Sequence, residues 1–200
     1  MKGRKPLPVH RLAEGSAFVQ NFLAGGLTVD AYARFLVQLF HVYQALEAAQ
    51  DHHRAHPVLS HVLSQELYRK AALERDLEFF YPDEDWRQAS ILPATTAYVK
   101  RLIRLAHDWP EGLVAHLYTR YMGDLSGGQI LKKAAAKMVG TGDGRGLEFY
   151  EFPAIPAPGK FKKEYRERLD SLPVDEVMAA RIVEEANNAF RLNGEIFNSL

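Results

Sequence analysis

Apolar positions recur along this chain with the period of an α-helix. Tyr32, Phe35, Leu36, Leu39, Phe40, Tyr43 and Leu46 form a broad stripe running to about His52, with Thr28 as a fitting N-cap. The stripe marks a core helix. Before it, Leu12, Phe18, Val19 and Phe22 give a rougher stripe over residues 8–23, with Pro8 tolerated at a first helical position and Gly25-Gly26 as the stop. Further helices are expected over residues 58–80, broken by Tyr81-Pro82, and from about Thr95 to Ala106. A central run extends from Leu113 to Met138. Another helix opens at Lys160, and a last one runs from Pro173 to about Asn198. Residues 140–159, rich in Gly and Pro, read as a long connection in which Leu147 to Phe152 is aromatic enough to pack down. The fold class expected is all-α, a single-domain helical bundle. No repeat, low-complexity tract or composition break divides residues 1–200, and residues 1–7 read as a flexible basic segment.

One helix breaks its own rules. Gly123, Gly127 and Gly128 sit in a run that is otherwise built of good helix formers, and each costs about 1 kcal/mol against Ala. Gly123 and Gly127 are four apart and share a face, beside Asp124 and a turn from Tyr118 and Arg120. Close packing of two helices is one explanation. A flat ligand lying on the bare backbone, with Asp124 at its reactive centre, is the other. A phosphate loop is excluded, because Gln129 and Ile130 stand where Lys and Ser/Thr belong and no strand precedes. His10 and Glu14, four apart, suit a metal-ligating imidazole with a carboxylate on its other nitrogen, or a plain surface pair. Lys162 and Arg166 share a face that could grip a pair of carboxylates, or be a solvated basic face. Asp51 to His56, with three histidines, reads as a solvated turn before Pro57, and His116 as structural.

Composition narrows the classes. The formal net charge is zero over 200 residues, against the basic excess of a general nucleic-acid binder. There is no cysteine, which removes disulfides, thiolate ligation and Cys zinc sites and suits a reducing compartment. Met1 to Lys5 is basic but leads into Pro6 and Pro8 rather than an apolar stretch, so no signal peptide is expected, and no apolar run is long enough to span a membrane. A cytoplasmic protein without membrane or nucleic-acid partners is the expectation. A carboxylate di-iron bundle fails because no Glu is followed by His three residues on.

The run Tyr121-Met122-Gly123-Asp124-Leu125-Ser126-Gly127-Gly128-Gln129 closely resembles the distal-helix signature of the heme oxygenases, with Met122 for the usual Leu. His10 to Glu14, Phe18 to Leu23 and the Gly-Gly turn resemble that family's proximal helix, and Leu147 to Phe152 its aromatic segment. The resemblance covers nearly the whole chain after Pro8. It implies heme sandwiched between the proximal and kinked distal helices. It also implies cleavage of heme by O2 and electrons, through an iron-bound hydroperoxide, to biliverdin, CO and ferrous iron. In the same terms, His10 would ligate the iron with Glu14 behind it, and Gly123, Ser126 and Gly127 would lie against the heme. Asp124 would hold a proton-delivering water network with Tyr43, Tyr118 and Arg120. Lys162 and Arg166 would take the propionates, and Phe190 and Asn193 would sit near the heme. Electrons would come from an external donor, a ferredoxin or flavoprotein reductase, since no nucleotide motif is present. The chain departs from the family upstream of His10, where Gly3 and Leu7 occupy the spacings of basic residues. His10 would thus lie in a first helical turn, whose dipole favours neutral imidazole. A heme carrier or sensor of the same fold is the alternative. It would keep His10 without needing Asp124.

Overall fold

The computed structural model describes residues 17–200. Among them the regular elements are all helical. Helix α1 (Ala17–Leu23) ends at Gly25, whose φ of +79° suits a residue without Cβ. Helix α2 (Val29–His52) starts where the sequence places it, with the Thr28 hydroxyl accepting from the Ala31 amide at 3.2 Å. Its apolar stripe is fully enclosed, with Tyr32, Leu36, Tyr43 and Leu46 at 0% exposure, which makes α2 the axis of the core. The remaining helices are α3 (Lys70–Phe80), α4 (Pro93–Asp108), α5 (Leu113–Leu117), α6 (Gly128–Val139), α7 (Pro158–Asp170) and α8 (Glu176–Ser199). Helices α3 and α4 pack on α2. Helix α8 closes over α4 and α5, and α1 sits against α6 and α8.

Three boundaries differ from the periodic pattern. The helix expected over residues 58–80 is continuous only from Lys70; before it come two single 3₁₀ turns, Leu59–His61 and Gln65–Leu67. The reason is tertiary. The Glu47 carboxylate, reaching across from α2, accepts from the amides of Arg69 and Lys70 and so caps α3 at that point. Asp175, not Pro173, opens α8, its carboxylate accepting from the Met178 amide at 2.7 Å. Helix α4 extends two residues beyond expectation at each end, with Pro93 in its first turn. The start of the helix expected over residues 8–23 lies outside the described residues.

The central run is where the site is made. After α5 the chain makes one π-helical turn, Tyr118–Met122, then resumes for Gly123 and Asp124. At Ser126 the amide bonds back to the Gly123 carbonyl (3.1 Å), tightening the ladder, and the chain turns through Leu125–Gly127 before α6 begins. A widened turn followed by a tightened one bends the rod. Gln129 pins the bend, donating to the Tyr150 carbonyl at 2.9 Å in the 140–159 connection. That connection is held down by Asp76, whose carboxylate accepts from the amides of Glu148 and Phe149, both at 2.8 Å.

Candidate active site

The bend opens onto a cavity of about 650 Å³. Its floor is the backbone of Gly123, Gly127 and Gly128, its walls include Phe35, Leu39, Phe149 and Phe197, and Arg166 stands at its rim. The glycines settle a choice the sequence left open. A Cβ built on Gly123 meets nothing within 4 Å, and one on Gly127 only the Gly123 carbonyl oxygen at 3.8 Å. Both have ordinary right-handed helical angles. Neither φ nor a packed neighbour requires glycine, so helix–helix packing does not explain them. The space they leave belongs to the cavity.

Behind the floor lies a buried cluster of charge. The Tyr43 hydroxyl donates to Asp124 Oδ2. Arg120 Nε donates to the Tyr43 oxygen at 3.1 Å, Nη1 donates to Asn193 Oδ1, and Nη2 stands 3.8 Å from Asp124 Oδ1. Burial raises the pKa of Asp124, opposed by Arg120, by the bond from Tyr43 and by the charge of Arg69. Burial also raises that of Tyr43, so it remains a neutral donor. Arg69 is itself fixed, with Nε donating to the Leu67 carbonyl at 3.1 Å and its guanidinium 3.9 Å above the Phe152 ring.

Tyr43, Arg120, Asp124 and Asn193 therefore come together as one network. Gly123, Ser126, Gly127 and Phe190 line the cavity. Tyr118 lines it too, but makes no hydrogen bond to the network. Arg166 reaches the rim, whereas the Lys162 ammonium donates to the Leu125 carbonyl (3.3 Å) and the Ser126 hydroxyl (3.1 Å). His10 and Glu14 lie outside the described residues. At the end of α2, Asp51 pairs with Arg54 at 2.7 Å and His53 Nε2 lies 2.8 Å from the Ala106 carbonyl oxygen. Sequence reasoning did not find Thr119 and Tyr150. Both line the cavity; the Thr119 hydroxyl is buried without a partner, and the buried Tyr150 hydroxyl interacts with that of Tyr32. Their side-chain types are unremarkable in a helix or an aromatic segment, and only the bend brings them to the site.

These features test the fit of a ligand. The cavity volume falls in the range of small-molecule sites, roughly 300–1,000 Å³. A bare flat floor, apolar walls, a cationic rim and the unpartnered Thr119 hydroxyl suit a flat apolar molecule with carboxylates at one edge and room for water at the other. Heme has that form. None of the described lining residues is a histidine.

Fold and cleft define a helical protein that holds a flat amphiphilic ligand over a buried acid–base cluster. A family model described as heme oxygenase matches residues 7–199. Heme oxygenase 1 of Synechocystis sp. is 46% identical over 192 residues, covering 96% of this chain and 79% of the relative. The structure of heme oxygenase from Leptospira interrogans superimposes with a TM-score of 0.92 at 43% identity, covering 96% and 94% of the two chains. Heme oxygenase-1 from the cyanobacterium Synechocystis in complex with heme gives 0.91 at 45% identity, covering 95% and 86%. The chain belongs to the heme oxygenase family.

Proposed function

We propose that this protein cleaves heme oxidatively to biliverdin, CO and ferrous iron, using O2 and electrons from a separate ferredoxin or flavoprotein reductase. The observation that carries the reading is the opening of the Tyr43–Arg120–Asp124 cluster onto the glycine floor. A carrier or sensor needs the cleft but not a buried carboxylate held beside it at an energetic cost. Bound heme supplies the iron that activates O2 and the ring that is cut, so it is substrate and cofactor together. The protein supplies orientation and protons. Asp124, its Oδ2 bonded by Tyr43, has Oδ1 3.8 Å from Arg120 and able to hold a water at the cavity floor, and Thr119 offers a further hydroxyl for that water chain. The glycine backbone admits the ring close to that water. Arg166 would take one heme carboxylate, and Lys162, now on the Leu125 carbonyl and the Ser126 hydroxyl, would take the other. His10 would hold the heme iron, with Glu14 behind it, as the resemblance to the family implies. Among the described residues no helix is long and apolar enough to cross a membrane, and the cytoplasm is the compartment proposed.

Titration of the protein with hemin, followed by one turnover with ascorbate, tests the reading. Biliverdin, CO and chelatable ferrous iron are the expected products. Tight hemin binding with the absorption spectrum unchanged after reductant and O2 would make it a carrier or sensor instead.

A further inference from the structure

The bend in the central run is not held by its own ladder. In an unbroken helix the Gln129 amide would donate to the Leu125 carbonyl; here it donates to the Ser126 carbonyl at 3.2 Å. The Leu125 carbonyl accepts instead from the Lys162 ammonium, at 3.3 Å. The side-chain amide of Gln129 makes two further donations. One goes to the Tyr150 carbonyl at 2.9 Å, and a longer one, at 3.5 Å, goes back across the bend to the Asp124 carbonyl. Side chains thus take over carbonyls that a bent ladder leaves open. Under the proposed function Lys162 is called away to a heme carboxylate, so Gln129 is the donor that stays.

Gln129 ties the bend to a turn that is fastened from elsewhere. The turn is the 3₁₀ segment Glu148–Tyr150. From α3, the fully buried Asp76 carboxylate accepts from the Glu148 and Phe149 amides, each at 2.8 Å. The Arg69 guanidinium, just before α3, donates to the Phe149 carbonyl at 3.4 Å and to the Glu151 carbonyl. The turn also reaches the distal cluster from a second side. The Phe149 ring meets the Tyr43 ring edge-on, with centroids 5.6 Å apart, and Tyr43 is the residue that donates to Asp124. A Cβ built on Gly128 would lie 3.7 Å from both the Tyr150 ring and Asp124 Cβ, so the turn, the start of α6 and Asp124 meet at one point. The turn therefore touches the main chain of Asp124 through Gln129 and its hydroxyl donor through Phe149.

We infer that Gln129 is a positioning residue for Asp124, and that the Glu148–Tyr150 turn, held by Asp76 and Arg69, is the splint it positions against. A carboxylate that hands on a proton must keep its distance to donor and water, and a misplacement of about 1 Å can cost about a hundredfold in rate. Asp124 is followed by Leu125–Gly127, which is turn rather than helix, so the ladder beyond it does not set where α6 departs. Tyr43 and Arg120 hold the carboxylate, and Gln129 holds the main chain that carries it. Among the described residues no other donor reaches the Tyr150 carbonyl, so losing Gln129 leaves a buried acceptor unsatisfied. The Lys132–Glu151 ion pair also joins α6 to this segment, but the Glu151 side chain is 56% exposed and the pair adds little.

This role presupposes the proposed function, but its first measurement does not. In the ligand-free protein, Gln129→Met keeps the length and bulk of the side chain and removes the donor. The ¹³C signal of the Asp124 carboxyl should then shift, and its titration midpoint should move by about half a pH unit or more. Asp76→Asn, which spares Gln129 but gives up one of the two bonds to the turn, should move both in the same direction. The double variant should move them no further than the larger single change, because both act through one turn. Lys132→Met should leave them as in the parent. In the hemin complex, Gln129→Met should cut the share of heme recovered as biliverdin after one turnover by about threefold to tenfold, with hemin affinity changed only a few-fold. If Gln129→Met lowers only the melting temperature, with midpoint and product share unmoved, the amide is a brace. If the effects of Gln129→Met and Asp76→Asn add in full, the turn is not their shared support. An equal displacement by Lys132→Met would show that any loosening of α6 moves Asp124, and would overturn the assignment to Gln129. Should Asp76→Asn not fold, Arg69→Lys, which gives up the fork on the Phe149 and Glu151 carbonyls, takes its place. Failure of the parent to form biliverdin would overturn the functional reading without touching the ligand-free result.

Discussion

Two buried carboxylates, Asp124 and Glu185, are served by one stretch of helix and end in opposite electrostatic states. Glu185 meets four donors, and their bonds hold its pKa at about 2. Asp124 meets one hydroxyl at bonding distance and a guanidinium 3.8 Å away, and burial leaves its pKa raised. The difference lies in unspent bonding capacity. Glu185 has none to offer, whereas Asp124 keeps a lone-pair face beside a cavity. A fully satisfied buried carboxylate stabilises a packing arrangement; a partly satisfied one stores an affinity for water and protons that a reaction can use.

The largest effect should come from emptying the satisfied site. Glu185→Ala strips Arg101 and His116 of their acceptor and should cost about 3 kcal/mol in denaturant unfolding, since one partner, Arg101, is only partly buried. A cost under about 1 kcal/mol would equate this cluster with a surface ion pair and dissolve the contrast.

Next comes the other carboxylate. Asp124→Ala should lower single-turnover biliverdin formation about a hundredfold while hemin affinity changes only a few-fold, because the residue holds a proton path rather than the ligand. Peroxidase activity towards an added phenol should rise in the same variant. Biliverdin formation at the parent rate would move proton delivery to Arg120 and the tyrosines.

The two should also answer acid with opposite signs. The pKa of Glu185 is depressed, so the stability it contributes is complete above its unfolded value of about 4.5 and is lost as pH falls towards 2. The gap in melting temperature between parent and Glu185→Gln should therefore be widest at neutral pH and close below pH 4.5. The pKa of Asp124 is raised, so the folded protein takes up that proton before the unfolded chain does, and acidification favours folding. The parent should gain on Asp124→Asn as pH falls towards the unfolded value near 3.8. Parallel curves for the two pairs would show the carboxylates to be alike.

The two clusters differed as much in legibility. Asp124 announced itself, because glycines in a helix are a local violation that asks for a cause, and its motif is long enough to carry a family. The sequence likewise marked α2, whose Thr28 cap and apolar stripe are local features. Glu185 gave no signal. It sits among ordinary helix residues, and two of its partners, Arg101 and His116, are 84 and 69 positions away along the chain. The division of the helix expected over residues 58–80 was hidden for the same reason, since Glu47 caps it from another element. Sequence showed what neighbours in the chain decide, and missed what neighbours in space decide.

The smallest effect is also the most direct reading of the glycine floor. Gly123 has helical angles of φ −62° and ψ −49°, and a Cβ there would touch nothing within 4 Å. By local chemistry Ala is the better residue, because it loses less backbone entropy on folding and fits the same conformation. Gly123→Ala should thus stabilise the ligand-free protein by about 0.5–1 kcal/mol, measured by denaturant titration. The methyl would project into the space that a flat ligand fills, so hemin affinity or biliverdin yield should fall in the same variant. A larger side chain sharpens the result: Gly127→Leu should fold and melt near the parent temperature, yet show impaired turnover. The two outcomes must appear together. If Gly123→Ala destabilises the ligand-free protein, the glycine is there for a packing demand that the open space around it does not reveal. If it stabilises the protein and leaves hemin binding and biliverdin yield intact, the bare face is not what admits the ligand, and the cleft must seat it elsewhere.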